Sequence, residues 1–182
     1  RTWFRTTLPA HPEYVAISAL RDAAHLRATG NDAEAFLRVE DTWKRMPSSP
    51  ALTSEYLRLL GEKAKIAEAD EVFAQFKAVA AEAYIPTVLN VLIEILVNTD
   101  RKDAVESAKR YFEMLPRYLE SRDALDSAIL ARRLGNQQLA HEYFERTGDA
   151  LFHDVRALLE FAQTKIKLAQ HNRSNRTLNR RL

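Results

Sequence analysis

Apolar residues recur along this chain at intervals of three and four, the spacing that gathers side chains on one face of a helix. The pattern predicts nine helices. The first covers residues 13–28, with Tyr14, Ile17, Leu20 and Ala24 as its face. Phe36, Val39 and Trp43 mark a second over 33–46, and Leu52, Tyr56, Leu59 and Leu60 a third over 51–62. Ala69, Phe73, Phe76 and Ala80 line a fourth over 66–83. No strong terminator separates the third from the fourth, so one long helix is the alternative there. The fifth, 86–97, is apolar over more than half its circumference (Val88, Leu89, Leu92, Ile93, Leu96, Val97) and is expected at the centre of the core. A sixth over 101–115 carries Ala104, Ala108, Phe112 and Leu115, and a seventh over 118–134 carries Leu125, Ala128, Ile129 and Leu134. The eighth covers 137–147, and the ninth, 150–171, shows Leu151, Val155, Leu158, Leu159, Ala162, Ile166 and Ala169 as its stripe.

Turn chemistry punctuates these faces. Gly30 permits a left-handed cap and Asp32 can cap the next helix. Pro47 and Pro50 bracket the next turn, and a proline disfavours the helical state in the residue before it. Pro116, Gly135-Asn136 and Gly148-Asp149 close later segments. Residues 1–12, RTWFRTTLPAHP, read as an extended arm, and residues 172–182, NRSNRTLNRRL, as a basic tail without an apolar stripe, expected to be disordered alone.

The helices pair, and the pairs repeat. With Gly30, Ala64, Asp100 and Gly135 taken as the fifteenth position of successive units, the units begin near Ala16, Pro50, Pro86 and Ser121, at spacings of 34, 36 and 35 residues. Such a period marks stacked helix-turn-helix repeats, none of which can bury its apolar face alone. Ala69 with Phe73 and Ala140 with Phe144 occupy the same two positions of their units. Ala108 and Phe112 form the same pair three residues late, whereas the first unit has Ala35 and then Val39. The expectation is an all-α fold, an α-solenoid of four helix pairs over 13–171 with the ninth helix as its cap or as the first helix of a fifth, incomplete repeat.

Over that stretch the chain resembles the tetratricopeptide and pentatricopeptide repeat superfamily. The segment beginning Pro86-Thr-Val-Leu-Asn90 looks like the start of a pentatricopeptide first helix, and Phe112-Glu-Met-Leu-Pro116 like the end of a second. The resemblance implies the solenoid fold and a binding role. In the pentatricopeptide family the fifth residue of the first helix helps read an RNA base. Here the corresponding residues are Leu20, Ser54, Asn90 and Leu125; two are apolar, which argues against one base read per repeat. In tetratricopeptide domains that clamp a carboxylate, a Lys, Arg and Asn set lines the groove, and Lys63, Asn90, Arg132 and Arg133 are the matching candidates.

Composition sharpens this picture. Of 182 residues, 46% are hydrophobic and 29% charged, with only 4 Gly and 6 Pro, which suits helices over a real core. Cysteine is absent, so disulfides and thiolate chemistry are excluded. No apolar run reaches the length of a membrane span, so no membrane insertion is expected. The formal charge of +2 hides an asymmetry: residues 161–182 carry +6 with no acid, which leaves −4 on residues 1–160. Arg173, Arg176, Arg180 and Arg181 are the candidates for contact with RNA phosphates or an acidic partner. Trp3 and Phe4, aromatic residues outside the repeats, are the candidate docking arm. The acid-poor start, with Arg1 and Arg5, also suits a chain from which an organellar targeting segment has been cleaved.

The five histidines show no ligand spacing, and neither a phosphate loop nor a nucleophile motif is present. The expected function is therefore a scaffold or adaptor that is not an enzyme, takes no cofactor or metal, and holds a protein partner within a larger assembly. Its compartment would be cytoplasmic or an organellar matrix. The alternatives are an organellar RNA-binding or ribosome-associated protein, and the regulatory repeat region of a larger enzyme.

Overall fold

The computed structural model describes residues 12–99, 101–115, 119 and 121–179, and from 172 onward the backbone only. Among the described residues the chain is all-helical, with nine α-helices, two short 3-10 segments and no strand. They fall into two compact units, Arg1–Asp100 and Arg101–Leu182.

The first unit holds α1 (Pro12–Ala28), α2 (Asp32–Arg45), α3 (Pro50–Glu62), α4 (Ile66–Val79) and α5 (Ile85–Asn98). Consecutive helices pack on one another along the unit, and α1 meets α3 as α3 meets α5. α3 and α4 are separate helices, because Ala64 takes a left-handed φ of 55° and turns the chain. Lys65 N–H donates to Leu60 O at 2.9 Å and Ala64 N–H to Gly61 O at 2.9 Å, which satisfies two terminal carbonyls of α3. α1 closes in the same way around Gly30 (φ 80°), with Asn31 N–H on Leu26 O at 2.8 Å and Gly30 N–H on Arg27 O at 3.0 Å.

The core of this unit is centred on α5, whose Val88, Leu89, Leu92, Ile93 and Leu96 are buried, as its continuous apolar surface requires. Packed with it are α3, which buries Leu52, Leu57 and Leu60, and α4, which buries Phe73 and Phe76. α3 and α5 approach closely at Gly61: a Cβ there would lie 2.6 Å from Ile95 Cγ2. Between α2 and α3, Trp43 packs on Tyr56 (centroids 5.0 Å apart) and donates its indole N–H to Thr53 Oγ1 at 3.1 Å. Burial pushes the Tyr56 phenol up to about 12, with the nearby Glu40 carboxylate adding to the shift.

α1 buries a different face from the one its large residues mark. Ala16, Ala19 and Ala23 are enclosed, while Tyr14 and Ile17 are 43% and 63% exposed. The three alanines leave room for α2 to lie close, with Ala35 and Val39 fully covered. α4 ends at Val79 rather than near residue 83, because Ala80 turns extended and a 3-10 segment, Glu82–Tyr84, leads into α5. Pro86 then sits in the first turn of α5, where a missing N–H costs nothing.

The second unit holds α6 (Lys102–Glu113), α7 (Ser121–Arg133), α8 (Gln137–Arg146), a 3-10 segment (Gly148–His153) and α9 (Val155–Asn179). α7 packs on α8 and on α9, and α8 on α9. The α7–α8 turn repeats the earlier ones: Gly135 has φ 84°, Asn136 N–H donates to Ala131 O at 2.9 Å, and Gly135 N–H to Arg132 O at 3.0 Å. α7, which packs on α8 and α9, buries small residues, Ala124, Ser127, Ala128 and Ala131, whereas α8 buries the bulky Tyr143 and Phe144. Phe112 of α6 meets Tyr143 edge-on at 6.0 Å.

The ninth helix departs from the sequence reading at both ends and on its face. It begins at Val155, because Asp154 Oδ1 accepts from the Arg156 and Ala157 amides at 2.9 and 3.1 Å and so caps it there. It continues to Asn179, so residues 172–179, expected to be disordered, are helical. A nucleated helix extends at one hydrogen bond per added residue, and this stretch has neither Gly nor Pro to stop it. Of the expected stripe, Leu151 is buried, but Val155, Leu159 and Ile166 are exposed; Ala157 and Thr164 face inward instead.

Candidate functional site

The expected groove residues do not gather. In the first unit, Lys63 stands at the end of α3 with Nζ 5.1 Å above the Phe36 ring of α2, and Lys65 lies 5.8 Å from the same ring. Asn90 is enclosed in α5 at 4% exposure, and Ser54 in α3 at 7%, so neither presents an edge to a base. In the second unit, Arg132 is ion-paired with Glu160 of α9, both side chains being 18% exposed; the pair joins two helices. Arg133 is exposed on α7. Arg173 and Arg176 lie within α9. Trp3, Phe4, Arg180 and Arg181 fall outside the described residues.

The structure assembles a polar surface that sequence periodicity does not reveal. Arg27 of α1 reaches across to α3, where its two terminal nitrogens meet Glu62 Oε1 at 2.6 Å and Glu55 Oε1 at 3.4 Å. The hydrogen bond to Glu62 holds the Arg27 guanidinium above its ordinary value. Arg58 lies 3.7 Å from Glu55 Oε2. Beside this network, Arg58, Glu62, Glu94, Ile95 and Asn98 line an open cleft of about 350 Å³ between α3 and α5. Its walls carry both signs of charge, which suits a polar segment of either sign more than a polyanion. A one-turn helix spacing finds neighbours on one helix, whereas Arg27 and Glu62 are 35 residues apart. No signal short of knowing which helices stack could have paired them.

A second surface is apolar. On α9, Val155, Leu159 and Ile166 are 73%, 59% and 56% exposed, and Phe152 just before the helix is 68% exposed. Elsewhere on α9, Phe161 lies 5.3 Å from Phe144 of α8, and Lys165 Nζ lies 3.2 Å from Glu145 Oε1 and 4.3 Å above the Phe161 ring.

Among the described residues no group of three or more His, Asp or Glu is placed to hold a metal ion. His141 is instead edge-on to Phe161 at 5.7 Å, with Nδ1 3.7 Å from Glu145. No described helix is long and apolar enough to cross a membrane. No family model matches the chain, and neither a curated protein nor a solved structure matches it.

Proposed function

We propose that the chain is a helical-repeat scaffold, an α-solenoid that holds a protein partner on its helix faces within a larger assembly and performs no chemistry of its own. One observation carries this reading. The same left-handed turn, closed by the same two backbone hydrogen bonds, recurs at Gly30, Ala64 and Gly135, each time between the two helices of a pair. The first interval is 34 residues and the second 71, close to two further periods. In the first unit the neighbour pattern is that of stacked pairs, in which both helices of one pair touch the first helix of the next. Repetition of this kind makes extended surface rather than a single enclosed pocket, and the polar cleft beside α3 and the exposed stripe of α9 are both open surfaces.

The test is cross-linking of the full chain in its native cells, then native size analysis with and without nuclease treatment. A scaffold runs in a discrete assembly with defined protein neighbours that survives nuclease. A chain that runs alone at its own size sinks the proposal. Collapse of the assembly on nuclease treatment would transfer it to the RNA-binding alternative, in which Arg173 and Arg176 contact phosphates.

A further inference from the structure

α9 is covered on one side only. Ala157 and Thr164 are fully enclosed where the helix meets α7 and α8, while Val155, Leu159, Ala162, Ile166 and Ala169 are exposed. Those five positions are separated by four, three, four and three residues, and the alternation continues to Arg173 and Arg176. An average spacing of 3.5 residues is that of a seam between two helices. Large Leu159 and Ile166 alternate along it with small Ala162 and Ala169, so bulk and space for a partner's side chains succeed one another. The seam is two positions wide in every seven and is bordered by exposed Gln163. That is narrower than the broad apolar face with which a helix lies in a membrane surface.

The repeat itself indicates what kind of object fits. Leu159, Gln163 and Ile166 stand 35 residues after Ala124, Ala128 and Ala131 of α7. Those three alanines are fully buried in α7, which packs on both α8 and α9. The equivalent side of α9 is thus one that neighbouring helices cover in α7.

Charge selects among helices. From Val155 to Asn179 the helix carries five basic residues, Arg156, Lys165, Lys167, Arg173 and Arg176, and one acid, Glu160. Glu160 is engaged by Arg132, and Lys165 lies back against Glu145, which leaves the exposed Arg156 beside the seam, the exposed Lys167 one row further round behind Gln163, and two arginines in its line. A second copy of this chain, parallel or antiparallel, would set basic residues against basic residues, an unfavourable juxtaposition.

We propose that this face of α9 binds an acidic amphipathic helix of another protein, which covers it as neighbouring helices cover the equivalent side of α7. The partner's apolar residues enter the spaces at Ala162 and Ala169, and carboxylates along its flank meet Arg156 and, one row further out on the same side, the long side chain of Lys167. This inference rests on the scaffold reading and gives that scaffold's partner a chemistry.

The probe is a fluorescent helical peptide of about three heptads with Leu and Ile along its seam and Glu at the flanking positions. It is titrated into the full chain by anisotropy beside a twin whose flanks are Lys. The Glu-flanked peptide is expected to bind at least about tenfold more tightly than its twin. The double substitution Leu159→Glu and Ile166→Glu should abolish binding, whereas Tyr14→Glu, on another exposed apolar residue, should leave it unchanged. Reversing the charge on that side with Arg156→Glu and Lys167→Glu should transfer preference to the Lys-flanked peptide, a gain that a misfolded variant cannot show. No binding at about 0.1 mM peptide, or equal binding of both peptides, overturns the proposal. So does adsorption to phosphatidylserine vesicles, or self-association of the chain alone, when either is lost in the Leu159→Glu and Ile166→Glu variant. Peptide failure with the native assembly intact would reject this site and leave the scaffold reading standing.

Discussion

Gly61 gives the sharpest test of the packing in the first unit. It lies in the last turn of α3, where replacing glycine by alanine ordinarily stabilises a helix by about 1 kcal/mol. Here the added Cβ would lie 2.6 Å from Ile95 Cγ2 and 3.0 Å from Cγ1, inside van der Waals contact with a residue that is 8% exposed. Overpacking of this kind costs about 1–3 kcal/mol, so Gly61→Ala should destabilise the unit by about 1 kcal/mol net. The sign should reverse when Ile95→Ala is introduced first. The nearest remaining Ile95 atom would then be Cβ at 3.4 Å, an ordinary contact, and the helix preference would act unopposed. The coupling between the two sites is therefore about 2 kcal/mol. Urea unfolding monitored by indole fluorescence measures it, in a Trp3→Phe background so that Trp43, in the same unit, is the sole indole. Equal effects of Gly61→Ala in the two backgrounds, within about 0.5 kcal/mol, would refute the close approach of α3 and α5.

Particular groups give three further expected outcomes. Ala64→Gly should stabilise the chain by about 0.5–1 kcal/mol in the same unfolding assay, because a left-handed alanine costs about 1–2 kcal/mol and glycine recovers part of it; a loss of stability would contradict the turn. Arg132→Met should destabilise the second unit by about 3 kcal/mol by leaving Glu160 without its charge partner, and adding Glu160→Leu should restore most of it, read by circular dichroism under denaturant. Additive losses in that pair would refute the coupling. The Tyr56 phenol should ionise at about 12 rather than the ordinary value near 10. Its folded value is raised, so its contribution is complete below about pH 10 and is lost as pH climbs toward about 12. The phenolate absorbance difference between the protein and its Tyr56→Phe variant measures this, and a midpoint near 10 would contradict the burial.

Helix existence and the turns are legible in the sequence because their signals are local. Gly30 and Gly135 announce left-handed caps, and the apolar circumference of α5 announces its central place. Ala64 carries the same turn without a glycine, which is why the α3–α4 break is weak in the sequence. Faces are harder to read. Periodicity identifies an apolar stripe but not the element that covers it. In α1 the interior goes to Ala16, Ala19 and Ala23, since close helix approach selects small residues rather than large ones. In α9 periodicity marks the large stripe as core, although the side facing its neighbours is built from Ala157, Thr164 and the Arg132–Glu160 pair. The candidate groove rests on residue types alone, and an aromatic ring, burial and an ion pair account for three of its members, Lys63, Asn90 and Arg132 respectively.

The neighbour pattern of the helices also governs how fast they come together. Within each unit the principal helix–helix contacts join an element to the next one or the next but one. Little loop entropy is spent before each contact forms, and helical chains with such short-range connectivity fold in microseconds to milliseconds. A pair such as α1 and α2 can dock before α5 has been synthesised, so order would spread along the chain in the direction of its synthesis. The exposed basic helix α9 would then be the last of these helices to find its place.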